Sequence, residues 1–131
     1  MNKEAIVIAG SRGIGKAISD SLASINYQVK STSTKELDTS NINSVKIFLD
    51  KNLETDILVL NTGGPPAIDF FDITEEQFNK YYNQLFLSFC LMLQRINVRD
   101  GGYIFLVSSF NIKEPNPKLT LSNSYRIAFT S

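Results

Sequence analysis

The chain contains no histidine and no tryptophan, and it has a single cysteine, Cys90. Each shortage removes a class of chemistry. Without histidine there can be no Ser–His–Asp triad, no Cys–His dyad, no imidazole proton shuttle and no His-ligated metal. With one cysteine there is neither an intramolecular disulfide nor a thiolate metal cage. Cys90 lies in an apolar run, where cysteine usually serves as a small buried hydrophobe. Long apolar stretches are also lacking. The longest, "LFLSFCLML" at 85–93, falls well short of the roughly 20 residues of a membrane helix. The start, "MNKEAIVIAGSRG", has an apolar core too short and too broken by glycine for a signal peptide. A reducing, cytoplasmic setting is the expectation. No charge dominates: 13 basic residues balance 13 acidic ones, giving no electrostatic footprint for nucleic acid or an anionic membrane. Any proton that moves here must use Tyr, Lys, Asp, Glu, Ser or water.

What is present reads as one globular α/β domain over residues 1–131, with 43% hydrophobic residues. "AIVIA" (5–9) is a continuous branched run, the mark of a strand buried on both faces. Gly10, Gly13 and Gly15 follow, and then Ile14, Ala17, Ile18, Leu22 and Ile25 recur at helical spacing over 13–25. "YQVKSTS" (27–33) predicts a second strand, and Asn41 or Asn43 predicts the cap of a second helix. "DILVLN" (56–61) predicts a third strand, closed by the turn signal "TGGPP". Thr74 with Gln77 predicts a capping box that opens a helix running to about 97. "GGYIFLVSS" (101–109) reads as a turn and a further buried strand, and a last helix begins near Leu119. Alternating strand and helix predict a doubly wound parallel sheet in three αβα layers with right-handed crossovers.

A buried strand, a glycine turn and a helix N-terminus together make a phosphate site. At this point the chain resembles the short-chain dehydrogenase/reductases. "AGSRGIG" (9–15) is similar to their cofactor loop and "LDTSNINSV" (37–45) to the segment that touches adenine. "LNTGG" (60–64) is similar to their Asn-Asn-Ala-Gly strand end, and "IFLVSS" (104–109) to the strand carrying the catalytic serine. The resemblance spans the whole chain but only the N-terminal half to two-thirds of a full family domain, so the C-terminal part of the Rossmann-type sheet is expected to be incomplete.

The resemblance implies that Gly10, Ser11, Gly13, Ile14 and Gly15 hold a pyrophosphate, that Asp38 and Thr39 meet adenine, and that Asn61, Thr62 and Gly63 line the adenosine side. Ala9 stands where the family has glycine, which predicts a remodelled loop. NAD selection needs an acidic side chain at the end of the second strand; the segment there is "VKSTST". Arg12 in the loop, nearby Lys30 and Lys35, and the hydroxyls of Ser31, Thr32 and Ser33 suit a 2′-phosphate instead, so NADP(H) is expected over NAD(H).

The family's chemistry uses serine, tyrosine, a lysine one turn later and an asparagine on the preceding helix. Ser109 fits the serine. The tyrosine position falls on Ser122, the lysine position on Arg126 and the asparagine position on Leu85. Tyr125 is followed by Phe129 four residues on, so Tyr-x-x-x-Lys is absent. Ser122, Tyr125 and Arg126 nevertheless share a helical face, which leaves open a rebuilt site with Arg126 as electrostatic partner. Two readings stand: a reductase acting on a small carbonyl or alcohol substrate, or a non-catalytic nucleotide binder, whether sensor, scaffold or inactive fragment. The apolar helix 78–96, with 119–131, predicts a homodimer or homotetramer interface.

Overall fold

The computed structural model describes residues 2–108 and 116–131. Four strands form one parallel sheet in the order β2-β1-β3-β4. They are β1 (Glu4–Val7), β2 (Gln28–Ser31), β3 (Glu54–Leu60) and β4 (Asn97–Leu106). Strand alternation splits the core in two. Ile6, Ile8, Leu58 and Leu60 face one way, against Val45, Phe48 and Leu49 of α2 (Ile42–Lys51) and Phe89 and Met92 of α4 (Ser88–Arg95). Ala5, Val7, Ile57 and Val59 face the other, against Ile18 and Leu22 of α1 (Gly13–Ser24). This is the three-layer αβα arrangement of a doubly wound sheet.

Local signals explain the element ends. Asn41 caps α2, its side chain accepting from Ser44 N–H at 3.2 Å. Thr74 and Gln77 form the complete capping box that starts α3 (Glu75–Tyr82). The helix then continues to Arg95, but with a wide π turn over Asn83–Leu87 between α3 and α4. The last helix, α5 (Thr120–Thr130), packs on α3 and on that π turn. Between β2 and α2 there is no further helix, so that connection is short.

The structure corrects the reading of 101–109. Residues Gly101 and Gly102 are not a turn ahead of a strand but a bulge within one. Asn97 and Val98 already pair with Glu54 and Thr55, and pairing resumes with Tyr103 opposite Ile57. Gly101 has φ +83°, and a Cβ on Gly102 would overlap the Asp56 carbonyl. Nor is β4 buried. Among the described residues it is the sheet edge, and α1 covers the sheet only as far as β3, so Tyr103 and Phe105 on that face are 61% and 51% exposed; Ile104, on the other face, is 51% exposed. At this amino end of the sheet Arg99 pairs with Glu4, Glu54 and Asp56. That network lies at the opposite end from the site described next.

Candidate functional site

In the order β2-β1-β3-β4 the winding reverses between β1 and β3. Open α/β sheets bind ligands beyond the carboxyl ends of their strands at such a switch point. Here the two strand ends are tied across it: Asn61 Nδ2, after β3, donates to the Ala9 carbonyl, after β1, at 3.4 Å. Beside this tie opens a cleft of about 740 Å³, within the usual size range of small-molecule sites.

The cleft wall sorts the candidate residues. Ser11, Arg12, Gly13, Ile14, Ser33, Asp38, Thr39, Asn61, Thr62 and Gly63 all line it, together with Lys35. Gly10, Gly15, Ser31 and Thr32 stand behind it. A Cβ on Gly10 would meet Ser19 Oγ at 2.7 Å and Val7 O at 2.9 Å; one on Gly15 would overlap the Ala9 carbonyl. These two glycines let α1 pack against the strand ends. Ser31 Oγ donates to Ser19 Oγ at 2.7 Å, and the buried Thr32 Oγ1 accepts Ala9 N–H at 2.9 Å. Both hydroxyls make hydrogen bonds within the fold and lie outside the cleft wall. Lys30 also lies outside the cleft wall.

Ala9 takes φ +54° and Gly13 φ +59°. Left-handed Ala9 is an uncommon state for a residue with a Cβ, and Thr32 and Asn61 hold it there. The amino end of α1 faces the cleft through Arg12, its N-cap, with no side-chain cap and no acid in the first turn. A Cβ at Gly13 or Gly63 would meet nothing within 4 Å. Open backbone, uncapped N–H groups and a helix dipole make this end fit a diphosphate. At the other end Leu37, Asp38 and Thr39 form a wall. Asp38 Oδ1 accepts Ser40 N–H and Oγ–H at 3.0 and 2.7 Å, and the Thr39 and Thr62 hydroxyls meet at 3.1 Å.

Gln84 was not legible as a site residue. It sits in the π turn, lines the cleft and donates from Nε2 to the Gly63 carbonyl. A regular helix gives no reason to aim it there; the extra backbone residue of a π turn does, and such turns often mark functional positions.

The described residues of the catalytic pattern lie near one another on α5 and the π turn, but Tyr125 is turned to another partner. Ser109 lies outside the described residues. Leu85, at the asparagine position, is 1% exposed in the contact of the π turn with α5. Tyr125 donates its hydroxyl to the Phe78 carbonyl at 3.0 Å and stacks edge-on with Tyr82. Burial, with a smaller contribution from Tyr82, raises its pKa above the ordinary phenol value. A general acid–base at neutral pH needs the opposite shift. Ser122 and Arg126 are together, Arg126 Nε donating to Ser122 Oγ at 2.9 Å. Burial lowers the Arg126 pKa.

No family model and no curated protein matches the chain. Solved structures do. A small-chain dehydrogenase superposes with TM-score 0.86 at 22% identity, over 98% of this chain and 72% of its own. A short chain dehydrogenase family protein from Francisella tularensis subsp. tularensis SCHU S4 gives 0.85 at 24%, over 98% and 60%. A short chain dehydrogenase from Burkholderia cenocepacia J2315, solved in complex with NADP, gives 0.86 at 24%, over 96% and 63%. The chain thus spans 60% to 72% of the length of these structures. Among the described residues no helix is long and apolar enough to cross a membrane, and no cluster of acidic or cysteine side chains could hold a metal. With its parallel sheet, its switch-point cleft and these superpositions, the chain has the fold of the short-chain dehydrogenases.

Proposed function

We propose that this chain is an NADP(H)-binding oxidoreductase domain of the short-chain dehydrogenase type, acting between the nicotinamide and a small carbonyl or alcohol. The observation that carries the cofactor reading is the composition of the cleft wall. Arg12, Ser33 and Lys35 share the cleft wall, Ser33 and Lys35 just beyond the end of β2, where an NAD site would hold a carboxylate. Asp38, the acid in the wall, has an oxygen committed to Ser40. Glu36 accepts Ser33 N–H at 3.3 Å and lies outside the wall.

The residues divide the binding work. The α1 amino end and the Gly13 backbone take the diphosphate. Arg12, Ser33 and Lys35 take the 2′-phosphate through charge-assisted hydrogen bonds. Leu37, Asp38 and Thr39 bound the adenine, and Asn61, Thr62 and Gly63, with Gln84 beside them, line the adenosine side. When bound, the cofactor supplies or accepts a hydride. Ser109 orients the carbonyl on this reading.

Titration calorimetry tests the cofactor. NADPH is expected to bind at least about ten-fold more tightly than NADH, roughly 1.4 kcal/mol, and Arg12→Ala to remove most of the difference. Equal affinities, or a preference for NADH, contradict the reading.

One observation favours a second reading, a nucleotide binder without turnover: Tyr125 is spent on Phe78 and Leu85 occupies the asparagine position. Absorbance at the NADPH band over a panel of aldehydes and ketones separates the two. Turnover lost in Ser122→Ala supports a rebuilt catalytic site. A chain that binds NADPH tightly and turns over nothing supports the binder.

A further inference from the structure

Arg126 carries a positive charge into the interior end of the site, and no acidic side chain among the described residues pairs with it. The ion pairs among the described residues involve Lys16, Arg95 and Arg99, and none reaches Arg126. The half-buried guanidinium is held in one plane by its Nε bond to Ser122, and that bond leaves both terminal nitrogens for other acceptors. One of them lies over Gly64, where an added Cβ would meet it at 3.4 Å. The recess around it is closed on its apolar sides by Leu85, Phe89, Leu106 and Phe129, with Ser108 at its polar side. The direction of the pKa shift agrees with the geometry. Arg99, which has acids around it, is raised; Arg126 is lowered by desolvation alone. A half-desolvated charge with no ion-pair partner among the described residues is a cost to folding. Its place is what gives it a use. Leu106 and Ser108 end β4, and Gly63, the neighbour of Gly64, is in the wall of the dinucleotide cleft. The guanidinium therefore stands beyond the carboxyl ends of β3 and β4, on the side where a substrate must approach.

We propose that Arg126 is the substrate-recognition residue of this site, and that the carbonyl substrate carries a carboxylate, which the two terminal nitrogens of Arg126 bind while Ser122 positions them. This rests on the reading of the neighbouring cleft as a dinucleotide site. A carboxylate suits the group because its planar oxygen pair matches two guanidinium nitrogens. The walls of the recess are mostly apolar and supply few further donors for a bulkier tetrahedral anion.

The test is calorimetric and does not need turnover. The full chain is titrated with 2-oxobutanoate and 4-oxopentanoate, with their methyl esters and with inorganic phosphate, each with and without NADP+. At least one oxo acid is expected to bind about ten-fold or more tightly than its ester. Arg126→Gln is expected to abolish that difference and leave the ester unchanged. Arg126→Lys restores part of it, and Ser122→Ala weakens acid binding severalfold with the ester again unchanged. Thermal melting of each variant confirms that it is folded. Four results overturn the proposal: acid and ester binding alike; acid binding that survives Arg126→Gln; phosphate preferred over every oxo acid; or no binding of any probe at tens of millimolar. If Arg126→Gln weakens NADP+ and not the acid, the guanidinium serves the cofactor and the proposal also falls. Acid binding that depends on Arg126 in a chain that binds no NADP+ removes the dinucleotide reading and leaves this one standing.

Discussion

A methyl group on Gly15 would overlap the Ala9 carbonyl and come within 2.9 Å of the Asn61 amide nitrogen. The same change at Gly13 meets nothing, although φ there is +59°. The two positions are equivalent in the sequence and different in the fold. Gly15→Ala must displace backbone at the switch point, so a loss of about 1–3 kcal/mol or more is expected. Gly13→Ala carries only the left-handed penalty, about 1–2 kcal/mol. Urea unfolding midpoints of the two variants check the order. Pattern reading could find the glycine loop but not which glycines face a ligand, because that depends on packing between α1 and two strand ends. The hydrogen bonds of Ser31 and Thr32 were illegible for a related reason: alternation along a strand that short does not settle which groups its neighbours claim. Tyr125 gives a residue-scale prediction with a sign. Its raised pKa means that the fold favours the neutral phenol. That contribution is fully present below the unfolded value near 10 and is lost as pH rises through the higher folded value. Tyr125→Phe should cost about 1 kcal/mol at pH 7 through the lost bond to Phe78. The gap between wild type and variant, measured by urea unfolding, should narrow above pH 10. A gap that widens there would contradict this placement of the phenol.

At the scale of elements, the helix from Glu75 to Arg95 was legible where its signals are local. Thr74 and Gln77 announce the start, and the capping box forms. The π turn at Asn83–Leu87 was not legible, since nothing in "NQLFL" departs from a helical pattern. It is stabilised by tertiary contacts that no local window contains, with Leu85 packed on Leu121 and Gln84 joined to Gly63. These two devices should separate under mutation. Thr74→Ala removes a cap and is expected to cost about 1 kcal/mol of stability while leaving nucleotide affinity intact. Gln84→Ala releases the Gly63 strand end, and is expected to weaken NADPH binding severalfold with a small change in melting temperature. Calorimetry beside thermal unfolding distinguishes them. A Gln84→Ala chain with unchanged affinity would make the Gly63 contact a packing detail. β4 was misjudged at this scale. Its composition, "YIFLV", is that of an interior strand, and composition does not report how many neighbours a strand has.

That misjudged strand decides the behaviour of the whole molecule. The apolar helix 78–96 was expected to supply a subunit interface. In the fold, Phe89 and Met92 face the sheet, and Phe86 packs against Phe129 and Tyr82. Phe89 is therefore a core residue and not an interface contact. What the helix layer leaves outside is scattered: Tyr82, Leu93 and Ile127 at 38%, 42% and 41% exposure. The edge of the sheet is different. Tyr103 and Phe105 stack at 6.0 Å on the α1 side of β4, and Ile104 and Leu106 are exposed on the other. An apolar strand with a free backbone edge invites another strand, and a contiguous apolar surface adds to the attraction. The expected outcome is that the 131-residue chain self-associates, and that it does so chiefly through β4. Charge on the edge is the natural remedy, so Phe105→Lys should shift the sedimentation profile toward monomer at micromolar concentration. Leu93→Glu, on the helix layer, should leave the profile as it is. Phe105 is half-exposed and outside both sheet-face core clusters, so its replacement should leave the far-ultraviolet dichroism and the NADPH affinity unchanged. The reverse pattern, with Leu93→Glu disruptive and Phe105→Lys silent, would return the interface to the helices. A wild-type chain that sediments as a stable monomer would remove both.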